Sequence, residues 1–139
     1  MPLLFDSDYE ILHKAAVDFE EEDSARFLIL KNFLLPIGIY MSDEKPVDGA
    51  HVLYVIPRNY NSSGGDMFWV YPRLHRADGK PIPNTGGPRP NEDSRTHNGL
   101  VFCRWSRHWH NNPWKPKVDN IQTIMDRISW AFKYPDARR

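Results

Sequence analysis

The spacing of apolar residues predicts a helix near each end of the chain. The first begins at Asp6 or Ser7, either of which can cap it, and runs to about Phe19. The second opens at Val118-Asp119, with Asp119 as the N-cap, and ends at Tyr134-Pro135, because proline cannot continue a helix. Its apolar stripe comprises Ile121, Ile124, Met125, Ile128, Ala131 and Phe132.

Four short segments between the helices have the β-branched and aromatic composition of strands: residues 26–33, 39–42, 51–56 and 66–71. Residues 45–49 resemble a hairpin turn, and residues 72–95 are too rich in proline and glycine for regular structure. The order predicts an α+β fold with an N-terminal helix, a four-stranded antiparallel meander, a long active-site loop and a C-terminal helix. All 139 residues fit one domain, 1–139.

The composition of the chain indicates which kinds of partner the protein binds and in which cellular compartment it is found. The 18 basic residues balance the 18 acidic ones, which argues against bulk binding to nucleic acid. The charges are nevertheless segregated, with an acidic run at residues 20–23 and basic residues from Arg104 to Lys117. A single cysteine excludes an intramolecular disulfide. Together with the absence of a signal-peptide pattern or a membrane-length apolar run, it predicts a cytoplasmic protein that does not insert in membranes.

Reactive side chains concentrate in residues 96–116, which hold the only cysteine and three of the six histidines. Cys103 is intrinsically the better nucleophile, and basic neighbours would lower the pKa of its thiol. However, its context, LVFC, is typical of a buried strand, where cysteines are commonly inert. Ser106 needs a base, which His108 or His110 can supply. Two candidate nucleophiles therefore remain.

A metal site is a weaker hypothesis. In an extended chain, His108 and His110 share one face and could be joined by Cys103 or His97. Imidazole and thiolate suit zinc, but the spacing matches no standard zinc motif.

Several segments together resemble the ubiquitin-conjugating enzyme superfamily, most closely its bacterial prokaryotic family E. These segments are Leu35-Pro36-Ile37-Gly38, Tyr54-Val55-Ile56-Pro57-Arg58-Asn59-Tyr60, Asp66-Met67-Phe68-Trp69, Arg104-Trp105-Ser106-Arg107-His108, Trp114-Lys115-Pro116 and Val118-Asp119. The resemblance covers nearly the whole chain and implies the fold of that superfamily, shortened at the C-terminus.

The resemblance also bears on the choice of nucleophile. The superfamily carries a His-Pro-Asn motif, then the catalytic cysteine, then a Trp-Ser-Pro motif; here the counterparts are His97-Asn98, without the proline, and Trp114-Lys115-Pro116. Counting back from Trp114 by the superfamily's usual spacing lands on Ser106, whereas Cys103 fits if the intervening loop is longer. The match implies that Asn98 stabilises an oxyanion. Arg107 and the histidines could assist it.

The resemblance implies an acyl transferase. It would accept a ubiquitin-like protein from a ubiquitin-activating-like enzyme as an oxyester on Ser106 or a thioester on Cys103, and pass it to a target. His108 or His110 would act as the general base. No cofactor is expected, since the ATP-dependent step belongs to the activating enzyme, and a deconjugating peptidase is a further expected partner. The alternatives are a non-catalytic module that binds a ubiquitin-like protein and, more weakly, a metal-dependent hydrolase.

Overall fold

Two helices pack on one face of a curled antiparallel sheet in the computed structural model, which describes residues 2–137. The helices are α1 (Asp6–Lys14) and α2 (Ile121–Lys133). The sheet contains β1 (Phe19–Glu22), β2 (Phe27–Leu34), β5 (Gly49–Val55), β6 (Phe68–Tyr71), β8 (Arg95–His97) and β9 (Leu100–Trp105), in the order β1-β2-β5-β6-β9-β8. A second sheet, ordered β4-β3-β7, contains β3 (Tyr40–Ser42), β4 (Lys45–Pro46) and β7 (His75–Arg76).

Apolar side chains fill both faces of the six-stranded sheet, because neighbouring residues of a strand point to opposite sides. The larger core lies under the helices and includes Leu12, Trp105 and Phe132. The smaller core, on the opposite face, consists of Phe27, Ile29, Leu53, Trp69 and Phe102.

The two edge strands of the sheet meet across the smaller core. The Nδ1 atom of His97, on β8, lies 2.8 Å from Oε1 of Glu22, on β1. The Nε2 atom of the same ring lies 3.6 Å from Oε2 of Glu20. Strands at opposite ends of the strand order can touch only if the sheet curls. The contacts of His97 with Glu20 and Glu22 therefore join the two edges of the sheet beside the smaller core.

The predicted α+β class with a helix at each end is confirmed. Every residue of the predicted apolar stripe of α2 is buried. The cap of α2 differs from the prediction: Asn120 is the N-cap, and its Oδ1 accepts a hydrogen bond from the Gln122 N–H at 2.9 Å. Asp119 instead accepts one from the Lys115 N–H at 2.8 Å. The N-cap of α1 is Phe5, not Asp6 or Ser7.

The prediction that the first helix reaches Phe19 is wrong. Helix α1 ends at Lys14, and Ala16 has a left-handed φ of 54°, which a continuing helix excludes. The acidic run then forms most of β1, paired with β2. Glutamate is disfavoured in strands, which hid this element in the sequence.

The predicted four-stranded meander is also wrong in detail. The main sheet has six strands, and residues 39–42 contribute β3 to the second sheet instead. The predicted turn at 45–49 includes β4. The long loop at 72–95 contains β7 and a 3₁₀ turn at Pro90–Glu92, and Thr85 forms a bridge to Trp105. Within residues 2–137 no helix is both long and apolar enough to cross a membrane.

The carboxylate of Asp8 links three parts of the fold, although it is only 1% exposed. Its Oδ1 accepts hydrogen bonds from the Tyr60 hydroxyl at 2.9 Å and from the Ile121 N–H at 3.0 Å. Its Oδ2 accepts one from the Phe5 N–H at 3.0 Å. Asp8 thus joins α1, the loop after β5 and the first residue of α2.

Replacing Asp8 with alanine should lower the free energy of unfolding by about 2–4 kcal/mol, because buried donors lose their acceptor. Urea denaturation followed by circular dichroism measures the change. Asp6→Ala is the matched control: Asp6 is exposed in the first turn of the same helix, and its loss should cost less than about 1 kcal/mol. Equal losses for the two variants would contradict a linking role for Asp8.

Candidate functional site

A cleft of about 540 Å³ opens where β9 ends. It brings together four of the predicted site residues: Ser106, Arg107, His108 and His110. The remaining lining residues are Pro83, Asn84, Pro135, Asp136 and Ala137. The cleft therefore lies between the long loop, the end of β9 and the segment after α2.

Ser106 is the first residue after β9, and its backbone is fixed by the long loop. Its N–H donates to the Asn84 carbonyl at 2.8 Å, and the Gly86 N–H donates to the Arg104 carbonyl at 2.9 Å. Residues 84–86 thus extend the pairing along the end of β9. The Ser106 side chain stays half-buried at the cleft.

Arg107 is buried and joins two walls of the cleft. Its Nη1 donates to the carbonyls of Pro83 at 3.0 Å and Ser106 at 2.9 Å, and its Nη2 donates to the Pro135 carbonyl at 3.3 Å. The guanidinium also lies 5.0 Å from the centre of the Trp105 ring. Burial lowers the pKa of Arg107.

His108 and His110 are exposed and stack on each other, with ring centres 5.7 Å apart. The Nδ1 of His108 donates to Oδ2 of Asp66 at 2.6 Å. Sequence reasoning missed Asp66, which is distant in the chain. No local sequence signal identifies it: Asp66 comes beside Arg107 and His108 only through the register of β6 on β9, in which Phe68 pairs with Trp105.

Cys103 lies within β9 and pairs with Val70, which confirms its prediction as a strand residue. Its side chain is 3% exposed, and burial raises the pKa of its thiol. The predicted lowering by basic neighbours is wrong, because desolvation is the largest effect. Ser106 is three residues further, about 10 Å along an extended chain.

His97 and Asn98 lie at the other end of β9. Their turn connects β8 to β9, and Asn98 is exposed with a left-handed φ of 49°. Strand β9 separates this turn from Ser106 by roughly 20 Å. The structure therefore does not bring His97 and Asn98 to the cleft.

The hypothetical metal site is not assembled either, because neither Cys103 nor His97 joins His108 and His110. His108 and His110 line the cleft, Cys103 is buried in β9 and His97 contacts Glu22. Across residues 2–137, no group of three or more His, Cys, Asp and Glu side chains is placed to hold a metal ion.

We expect Cys103 in the native protein to react with an aromatic disulfide reagent at least about tenfold more slowly than in guanidinium-unfolded protein. Burial blocks access, and the raised thiol pKa leaves less thiolate near pH 8. A Cys103→Ala/Ser106→Cys variant is the control, and its thiol at the cleft should react quickly while folded. Equal rates for Cys103 in native and unfolded protein would show that the thiol is accessible.

Comparison with known proteins agrees with the resemblance seen in the sequence. A family model described as "Prokaryotic E2 family E" matches residues 4–134. The matched region includes Asp66, Ser106 and both histidines of the cleft. No significant match was found among curated proteins or among solved structures.

Proposed function

The chain belongs to prokaryotic E2 family E, and we propose that it is a ubiquitin-conjugating-like acyl transferase whose nucleophile is Ser106. A ubiquitin-activating-like enzyme delivers the C-terminus of a ubiquitin-like protein to the cleft. Ser106 holds that C-terminus as an oxyester and passes it to an amine or hydroxyl of a target. A deconjugating peptidase of the same pathway reverses the modification.

The observation that carries this proposal is the contrast between the two candidate nucleophiles. The Ser106 hydroxyl lies at a cleft that also holds His108 and His110. The Cys103 thiol is buried in β9, and its pKa is raised by desolvation. A nucleophile must reach a protein C-terminus and have a base nearby, and Ser106 meets both requirements better.

The acyl transfer balances without a cofactor. The Ser106 oxygen attacks the carbonyl carbon of the incoming thioester as its proton passes to His108. The carbon–sulfur bond then breaks, and the leaving thiolate takes the proton from the imidazole. In the second step a target amine attacks the ester carbon, its proton passes to the base, and the Ser106 oxygen leaves as a hydroxyl. His110, stacked on His108, is the second candidate base.

Incubation with the ubiquitin-like protein, the activating enzyme and ATP should produce an adduct that resists thiols and is cleaved by hydroxylamine. The adduct should vanish in Ser106→Ala and persist in Cys103→Ala, because the ester oxygen belongs to the serine. Gel electrophoresis and mass spectrometry of the modified peptide measure it.

Ser106→Cys is a positive control, since its adduct should become labile to thiols. A thiol-labile adduct on the wild-type protein that is lost in Cys103→Ala would move the site to the cysteine. If a competent activating enzyme yields no adduct at all, the non-catalytic binding module becomes the better description.

A further inference from the structure

We propose that Asp66 is a positioning residue that holds His108 as the base for Ser106, so that the three residues form one acyl-transfer unit. This inference rests on the proposed function, because it concerns the same cleft. It adds Asp66, which lies just before β6, to Ser106 and His108, which follow β9. It also predicts that the three residues accept acyl groups from small activated esters.

The hydrogen bond between Asp66 and His108 contributes little to the stability of the fold. The two side chains are 45% and 47% exposed. An exposed ion pair contributes at most about 1 kcal/mol. Nevertheless, the bond is short, 2.6 Å from Nδ1 to Oδ2, and it is made by a histidine that lines the cleft. Orientation of the imidazole explains this arrangement better than stabilisation of the fold.

The bond also determines which imidazole nitrogen is free. A carboxylate that accepts from Nδ1–H fixes that tautomer of the neutral ring, and the lone pair of Nε2 remains available to take a proton. The Nε2 atom is therefore the basic position of His108, a residue that lines the cleft.

The exposure pattern after β9 supports the pairing of Ser106 with His108. Ser106 is half-buried, Arg107 is buried and His108 is exposed. This alternation is typical of an extended chain, in which residues two apart share a side. Ser106 and His108 therefore face the cleft together, while Arg107 turns inward to the carbonyls that it binds.

Other charged groups around the imidazole do not replace Asp66. Asp136 lines the cleft, but both of its oxygens accept from Nη1 of Arg76, at 2.8 and 2.7 Å. His110 stacks on His108, and the Arg107 guanidinium bonds to backbone carbonyls. Asp66 is the carboxylate placed to orient the base.

The reaction with a small ester is balanced by the same groups. The Ser106 oxygen attacks the acetyl carbon of p-nitrophenyl acetate, and its proton passes to Nε2 of His108. The bond from the acetyl carbon to the phenol oxygen breaks, and p-nitrophenolate leaves. The products are acetylated Ser106 and a protonated imidazole, which returns its proton to solvent.

The test compares acetylation of Ser106 by p-nitrophenyl acetate in the wild-type protein and in Asp66→Asn. The rate constant at saturating ester should fall about 100-fold with KM nearly unchanged, because the amide does not hold the basic tautomer. Asp66→Glu should recover part of the rate. Asp43→Asn, the same change at an exposed carboxylate in the turn between β3 and β4, should leave the rate unchanged.

A spectroscopic measurement separates positioning from folding. Long-range proton–nitrogen NMR of neutral His108 should show the Nδ1–H form in the wild-type protein and a mixture of tautomers in Asp66→Asn. Equal rates in wild type and Asp66→Asn, or the same tautomer of His108 in both proteins, would falsify the role of Asp66. The proposed function would still be tested separately by the adduct with the ubiquitin-like protein. Absence of ester-dependent acetylation of Ser106 would also overturn the unit.

Discussion

The hydrogen bonds of the buried Asp8 carboxylate hold the start of α2 against α1 and the loop after β5, and the far end of α2 leads into one wall of the cleft. Asp8 accepts from the N–H of Ile121, the first residue of α2, and from the hydroxyl of Tyr60. The helix then carries the chain about 20 Å to Pro135, whose carbonyl accepts from Arg107 at the cleft. One wall of the cleft is therefore positioned by a contact made at the opposite end of a helix.

Asn61, the residue after Tyr60, fixes the segment between β9 and α2 through its hydrogen bonds. Asn61 is buried; its Nδ2 donates to the Asp119 carbonyl, and its Oδ1 accepts from the Lys117 N–H, both at 2.6 Å. Its carbonyl accepts from Nε1 of Trp114 at 2.8 Å. The Trp114 ring lies so close to Gly64 that a Cβ there would be 2.1 Å from it, and any larger residue would displace the ring. The loop after β5 thus fixes the path of the chain that leaves His110.

The sequence predicted what is encoded locally and missed what depends on pairing between distant strands. Helix α2 has a strong helical period, and LVFC reads as the buried strand that it is. Strand β1 was missed because glutamate is disfavoured in strands, and the partners of its glutamates lie on other elements: Lys31 on β2, Tyr9 on α1 and His97 on β8. At the cleft, Ser106 and His108 are neighbours in sequence and were predicted, whereas Asp66 enters only through the register of β6 on β9. The resemblance to the His-Pro-Asn motif suggested that His97 and Asn98 lie near the nucleophile, but the whole length of β9 separates their turn from Ser106.

In the proposed reaction, position relative to the end of β9 matters more for the choice of nucleophile than intrinsic reactivity does. A thiol is the better nucleophile in water, but its reactive form is the thiolate, and the desolvation that accompanies burial disfavours that form. Cys103 lies inside the strand, where desolvation raises its pKa. A serine hydroxyl gains little from a local positive charge and needs a base within reach. Ser106 lies where the ladder ends and lines the cleft together with His108 and His110, whereas Cys103 is buried inside the strand, and the proposed function places the nucleophile on the serine for this reason.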